Sequence, residues 1–354
     1  MFAGLLLLAT PARAQGKVVL DADHPQVQAV MKVQQAYTPA LMSHPDVLGT
    51  ATGLSDSGNP AILVFVNEES SSAAWTFDNI RPHLAGVEVR VVLTEPFRAL
   101  KGGPGGGGGG GVSHTAIQTP PISLGTSGGW RHDLANGYCC GGTLGSLIQV
   151  GGQQRILSNY HVLEADIVNG GNGITAQTGD PVIQPALIDV GCNANSAQNV
   201  ATLVKTSALP NNNVDASSAT IVSGMVKTNG DILEVGVPSS STVGASLSQA
   251  VKKSGRTTGL TRSSIDGLNA TVSVSYENEC AGGTAFTKTF TGQIIVKNKA
   301  SKFLAGGDSG SLMLEDVTSS PRAVGLLFAG SSSLAVANPI GQVLAFFGAS
   351  MVGN

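Results

Sequence analysis

The sequence predicts a mostly β protein built in two units, and three observations carry that prediction. Straight-chain helix formers are sparse, while Gly, Ser, Thr and Val are abundant, with 47 glycines in 354 residues. Short apolar runs recur with Gly, Asn, Asp and Ser clusters between them, which is the pattern of strands joined by turns. An unbroken glycine run, Gly105–Gly111, splits the chain as a flexible linker would. The length suits about two domains. Hydrophobic residues make up 42% and charged residues 12%, with a net charge of -3 and no basic run. That balance argues against nucleic-acid binding.

Taken in order, residues 1–16 hold a short apolar run, Leu5–Leu8, and a small-x-small site, Ala12-Arg13-Ala14. This is the pattern of a bacterial secretory signal, so a secreted or periplasmic location is expected. The positive n-region is missing, and this reading takes Met1 as internal to a longer signal. No later apolar run reaches the ~18 residues of a membrane-spanning helix, so no stable membrane insertion is expected.

Residues 17–100 read as a small α+β domain. Val27, Val30, Val33, Ala36 and Tyr37 recur near helical spacing and predict a helix over Pro25–Met42. Val47–Leu54, Ala61–Val66 and Val87–Leu93 are strand candidates. Asp56-Ser57-Gly58-Asn59 makes the first two a hairpin. A short helix is expected within Ser70–Leu84. His24, His44 and His83 lack metal-ligand spacing and read as solvated turn residues. Residues 101–119 form the linker. The N-terminal domain is either a propeptide, acting in cis as inhibitor or folding aid, or a permanent accessory domain.

Residues 120–354 read as strands and turns, which points to a barrel or a sandwich. Strand candidates are Gly141–Ile148, Arg155–Ser158, Ala201–Lys205, Ala219–Val222, Ile232–Glu234, Ser248–Lys253, Ser264–Tyr276, Phe286–Ile295, Leu312–Leu314 and Ala323–Phe328. Ile340–Phe347 predicts a closing amphipathic helix. Cys139, Cys140, Cys192 and Cys280 are an even number in an exported chain, so two disulfides are expected. Adjacent cysteines rarely bond each other. Cys139 and Cys140 are therefore expected to reach Cys192 and Cys280 separately, in an order left open. No Cys-x-x-Cys pair supports a metal site.

Gly306-Gly307-Asp308-Ser309-Gly310-Ser311 leads into the apolar run Leu312-Met313-Leu314. Glycines let such a turn tighten and approach a substrate carbonyl. The amides of Gly307 and Ser309 can then aim at one oxyanion position. A serine hydroxyl needs a base. His161 follows the apolar strand end Ile156-Leu157-Ser158. The base needs an orienting acid, and Asp215 enters a small-residue apolar strand where an unpaired carboxylate would be costly. Asp189, Asp231 and Asp266 lie in less distinctive settings.

Four segments then come together: Cys140-Gly141-Gly142-Thr143-Leu144, Ser158-Asn159-Tyr160-His161-Val162, Val214-Asp215-Ala216 and Gly307-Asp308-Ser309-Gly310. In this order they resemble the chymotrypsin-like serine peptidases. Val251–Gly259 resembles a segment of the bacterial secreted members related to α-lytic protease and streptogrisins. The resemblance spans roughly residues 120–350. It implies two six-stranded antiparallel β-barrels with a C-terminal helix and an active site between them. His161 is then the general base, Asp215 the orienting acid and Ser309 the nucleophile, with the Gly307 and Ser309 amides as oxyanion hole. The substrate is a protein or peptide, and no cofactor is required.

The resemblance is not complete. Val162 stands where the family often has a cysteine, so Cys140 must pair elsewhere or stay free. Lys252 and Lys253 replace a usual Cys-Arg pair, and Lys253 is expected to pair with Asp308, with Arg256 as competing partner. Phe303 matches the base of the primary pocket, and Phe328 and Gly330 its wall. No Asp stands there, so a small or apolar side chain before the cut bond is expected. The alternative is a non-catalytic binding protein of the same fold. An α/β-hydrolase esterase is set aside because no histidine follows Ser309.

Overall fold

The computed structural model describes residues 19–99, 112–135, 138–164, 173–276 and 285–354. The signal-like leader, the glycine run and Cys280 lie outside the described residues.

The N-terminal unit follows its local pattern. Helix α1 spans Pro25–Met42, with Pro at its start where the missing N–H costs nothing. Strands β1 (Val47–Leu54) and β2 (Pro60–Asn67) form the expected antiparallel hairpin. Helix α2 (Ala73–Asn79) precedes β3 (His83–Leu84) and β4 (Val87–Thr94), and β4 runs parallel to β2. Val30 of α1 packs on Ile62, Val64 and Val66 of β2. A last strand, β5 (Phe97–Ala99), leaves this unit entirely. His83 is exposed, but His44 is half-buried and stacks on Trp75 at 5.7 Å, so it is not a solvated turn residue.

A second sheet uses β6 (Thr126–Trp130), β9 (Gly142–Leu144), β10 (Ser146–Val150), β11 (Gln153–Ser158), β12 (Pro181–Gln184), β13 (Gln198–Val204), β14 (Ser217–Ile221) and β21 (Ala349–Met351). A separate two-stranded ribbon pairs β7 (Leu134–Ala135) with β8 (Tyr138–Cys139). Because β9 and β10 are halves of one run, the ends of the eight-stranded sheet approach each other and it curls strongly. Its core holds Leu144, Leu147, Ile156, Val182 and Val200. A short helix, α3 (Tyr160–Leu163), follows β11.

The third layer is β15 (Ala250–Gly255), β16 (Gly259–Tyr276), β17 (Phe286–Lys297), β18 (Leu312–Glu315), β19 (Ala323–Gly330) and β20 (Leu334–Pro339). These pair as β15-β18-β19-β20-β17-β16, and β16 returns to β15, which closes a ring. Helix α4 (Ile340–Phe347) sits where the sequence predicts it and buries Ile340 and Val343 in the core of the curled sheet. Outside the ring, β16 also pairs with β1, as in Gly49↔Val272, so the N-terminal sheet continues the ring's sheet. Ile232–Glu234 forms isolated bridges instead of the expected strand. Cys139 bonds Cys192, closing a loop with a sequence separation of 53. Cys140 is not a free thiol.

Candidate active site

The buried polar groups gather between the curled sheet and the ring. Helix α3 carries His161 beside Asp215, which lies just before β14. His161 Nδ1 donates to Asp215 Oδ2 at 2.6 Å, and the His161 amide lies 3.3 Å from Oδ1. Both side chains are buried. The backbone of Asp215 is fixed as well: its N–H donates to Asn338 Oδ1 at 2.9 Å, and its carbonyl accepts from Asn159 Nδ2 at 2.7 Å. The Tyr276 hydroxyl donates to Asp215 Oδ2 at 2.8 Å. Burial first, then the Asp215 charge, push the Tyr276 phenol well above its ordinary 10.0, so it keeps its proton and acts as donor. Behind α3, the buried Glu164 carboxylate accepts from Thr206 N, Thr206 Oγ1, Ser207 N and Ser217 Oγ.

Ser309 lies on the turn before β18. Gly307 has φ +94 and Gly310 has φ +92, the left-handed region that favours glycine. A Cβ on Gly307 would meet Arg256 Nη1 at 2.7 Å, and one on Gly310 would meet Thr143 O at 2.3 Å. The turn is thus threaded between two walls that leave room only for glycine. Thr143 Oγ1 donates to the Gly307 carbonyl at 2.9 Å, and the Thr143 N–H donates to the Ser309 carbonyl at 2.9 Å. Among the described residues the Gly307 and Ser309 amides have no acceptor. His161 Nε2 likewise has no partner there. Ser309 Oγ donates to the Phe328 carbonyl at 3.3 Å, not to His161.

Asp308 is held from below. Lys253 Nζ lies 3.3 Å from its Oδ2, and both side chains are fully buried. The Thr257 and Thr258 amides, Thr258 Oγ1 and the Ala305 amide also donate to it. Burial pushes the Lys253 pKa below 10.5, and the Asp308 charge opposes that shift. Arg256 goes elsewhere. Its Nη2 and Nε reach Asp189 at 2.6 and 2.7 Å, a bidentate pair that ties the turn after β15 to the curled sheet. Asp189, unremarkable in sequence, also accepts from Ser127.

A pocket of about 360 Å³ is bordered by Leu304, Ala305, Gly306, Gly330 and Ser331, the first three of which lead into the turn that carries Ser309. Phe303 and Phe328 do not border it. Phe303 packs with Leu247 and Val251, and Phe328 packs on Phe290 at 4.9 Å. A register shift between Leu327 and Ala329 interrupts the alternation of β19 at Phe328, and the core around Phe290 claims that side chain. Gly330 is the one expected pocket residue found at the cleft. The N-terminal unit adds Glu69, Glu95, Pro96 and Arg98 to the border. Strand β5 lies on β19, with Ala99↔Ala329 and Arg98↔Gly330.

The sequence does not single out His114, Tyr276, Asn338 or Glu164. Each is a lone polar residue in an ordinary local context, and only long-range pairing gives it a partner.

Residues 193–337 match the family model of the Nal1 C-terminal domain. No curated protein matches the chain. Among solved structures the chain is similar to bacterial chymotrypsin-like serine proteases at low identity. A glutamic acid-specific serine protease is 18% identical, over 65% of this chain and 100% of that one, with a TM-score of 0.43. Protease A of Thermobifida fusca is 21% identical, over 60% and 92%, with a TM-score of 0.40. The chymotrypsin of Cellulomonas bogoriensis is 19% identical, over 66% and 99%, with a TM-score of 0.41.

Proposed function

We propose that this chain is an exported serine endopeptidase, with two β-barrels flanking the cleft and the N-terminal unit acting in cis as its inhibitor. The observation that carries the reading is the buried His161–Asp215 pair, with His161 Nε2 left open, together with a glycine-held turn that presents Ser309; Val162, next to His161, and the Ser309 carbonyl both close on Gly142. In the reaction His161 Nε2 takes the Ser309 Oγ proton as Oγ attacks a peptide carbonyl. The oxyanion gathers on the Gly307 and Ser309 amides, each donor contributing about 3 kcal/mol. The proton passes to the leaving amine, the C–N bond breaks, and an acyl-serine remains. Water, deprotonated by His161, then releases the acid. Lys253 beside Asp308 gives that turn an internal cation. The Cys139–Cys192 bond fits an oxidising compartment.

Strand β5 supports the inhibitory role. Its register on β19 carries the chain from Arg98 and Ala99 toward Phe328, whose carbonyl accepts Ser309 Oγ. That is the path of a substrate strand, and the linker that follows is where self-cleavage is expected. One observation favours a second reading, a non-catalytic binding protein: Ser309 Oγ is bonded to Phe328 rather than to His161.

Labelling the full chain and its Ser309→Ala variant with a fluorophosphonate, while following mass on a gel, separates the two. Labelling and loss of an N-terminal fragment in wild type alone support the peptidase. An intact, unlabelled wild type that stays inert after limited proteolysis of the linker supports the binding protein.

A further inference from the structure

Strand β5 is paired on both sides. On one side is β19; on the other, Phe97 and Arg98 run parallel to Val274 and Ser275 at the end of β16. The next residue of β16 is Tyr276, whose hydroxyl donates to Asp215 Oδ2, the same oxygen that accepts from His161. The Tyr276 ring is held in a stack on Phe286 at 4.7 Å and stands edge-on to His161 at 6.0 Å. Three consecutive residues of one strand thus touch both the bound segment and the acid.

We propose that the end of β16 is the second wall of the peptide cleft and that Tyr276 is a positioning residue, which couples occupancy of that wall to the orientation of Asp215. The proposal rests on the endopeptidase reading. A peptide long enough to lie between β19 and β16 supplies backbone partners to Val274 and Ser275. A strand end fixed on both sides holds its next side chain in one place, and here that side chain completes the hydrogen bonds of the carboxylate. A shorter peptide meets β19 alone, and the end of β16 is then held only on its β17 side. The benefit of length appears in turnover because the Tyr276 bond supports the acid that stabilises the His161 imidazolium as the proton moves. A wall that only gripped substrate would lower KM instead.

The test uses the full chain after it has processed itself. Two peptides are compared, one reaching only β19 and one also spanning the positions of Phe97–Ala99. In wild type the longer peptide is expected to raise kcat by roughly tenfold or more. In Tyr276→Phe, which keeps the ring stack and loses only the hydroxyl, the gain in kcat disappears while the difference in KM persists. A gain confined to KM in wild type, or a gain in kcat that survives in Tyr276→Phe, overturns the coupling. The second wall is read without turnover, by hydrogen exchange in the Ser309→Ala full chain. Two-sided pairing protects the amides of residues 97, 98 and 99 alike, whereas one-sided pairing protects alternate residues and overturns it. The exchange arm stands even if the peptidase reading fails, and that failure is recorded separately as absence of fluorophosphonate labelling.

Discussion

His161 and His114 each face a carboxylate at 2.6 Å, and both rings are buried. The resemblance ends at the other nitrogen. His161 Nε2 has no partner among the described residues. His114 is closed on both sides: Nε2 lies against Glu234, and Nδ1 lies 2.8 Å from the Gly125 carbonyl. A histidine–carboxylate pair is therefore not a base by virtue of the pair alone. It becomes one when the second nitrogen is left open toward a reacting group. His114 instead pins the start of the second unit, since its carbonyl also accepts from Ser127 N and Thr126 Oγ1.

The largest effect that tests this contrast comes from removing each ring. His161→Ala is expected to lower kcat/KM by about 10⁴-fold or more with little change in melting temperature. His114→Ala is expected to do the reverse. It leaves Glu234 with the Leu260 amide and the Gly125 carbonyl with a long bond from Ser254 Oγ, costs about 2 kcal/mol of stability, and leaves the folded fraction active. Peptide hydrolysis per folded molecule, with thermal unfolding in parallel, reads both. If His114→Ala abolishes turnover while the fold is intact, the division between open and closed pairs is wrong.

A smaller effect sharpens the same contrast at Asp308, a closed carboxylate next to Ser309. Four N–H or O–H donors and Lys253 surround it. Lys253→Met keeps the chain's volume but leaves the buried charge without its cation, at a cost of about 3 kcal/mol. The turn carrying Ser309 is then expected to loosen, so activity should fall together with the denaturation midpoint. Unchanged values of both would remove Lys253 from the supporting set.

How far the sequence reveals this arrangement depends on the range of each interaction. Helices α1 and α4 and the β1–β2 hairpin were legible because periodicity and turn chemistry are local. His161, Asp215 and Ser309 were legible because each sits in a short distinctive segment. Tyr276 lies 61 residues from Asp215 and Asn338 lies 123 away, and neither has a local signature. Lys253 could be named in advance because it is one of two cations close to the position opposite Asp308. The Arg256–Asp189 pair could not, since its second member is set by how the curled sheet meets the ring. Strand β20 escaped notice for a related reason. Buried along nearly its whole length between β17 and β19, it shows no alternation to read. Phe303 lies outside any strand and Phe328 beside a register shift in β19, so packing with distant residues, which no local pattern reveals, decides where both side chains go.

The smallest effect concerns a closed carboxylate far from the cleft. Asp46 Oδ1 accepts from Ser70 Oγ, and its Oδ2 accepts from Ser72 Oγ and Thr76 Oγ1. The Ser70 hydroxyl first, then Ser72 and Thr76, hold its pKa at about 2, below the ordinary 3.8. Between those two values the unfolded chain binds more proton than the folded one, so stability rises with pH through that window. The contribution is complete above the ordinary value and is lost as pH falls toward about 2. Trp75 stacks on His44 close by and reports on this unit by fluorescence. Asp46→Asn should flatten the acid limb of the Trp75 melting curve against pH and leave neutral-pH peptide hydrolysis as it was. An acid limb of the same slope in the variant would mean that another carboxylate governs it, and that closure by hydroxyls alone does not fix a charge as the groups around Asp308 do.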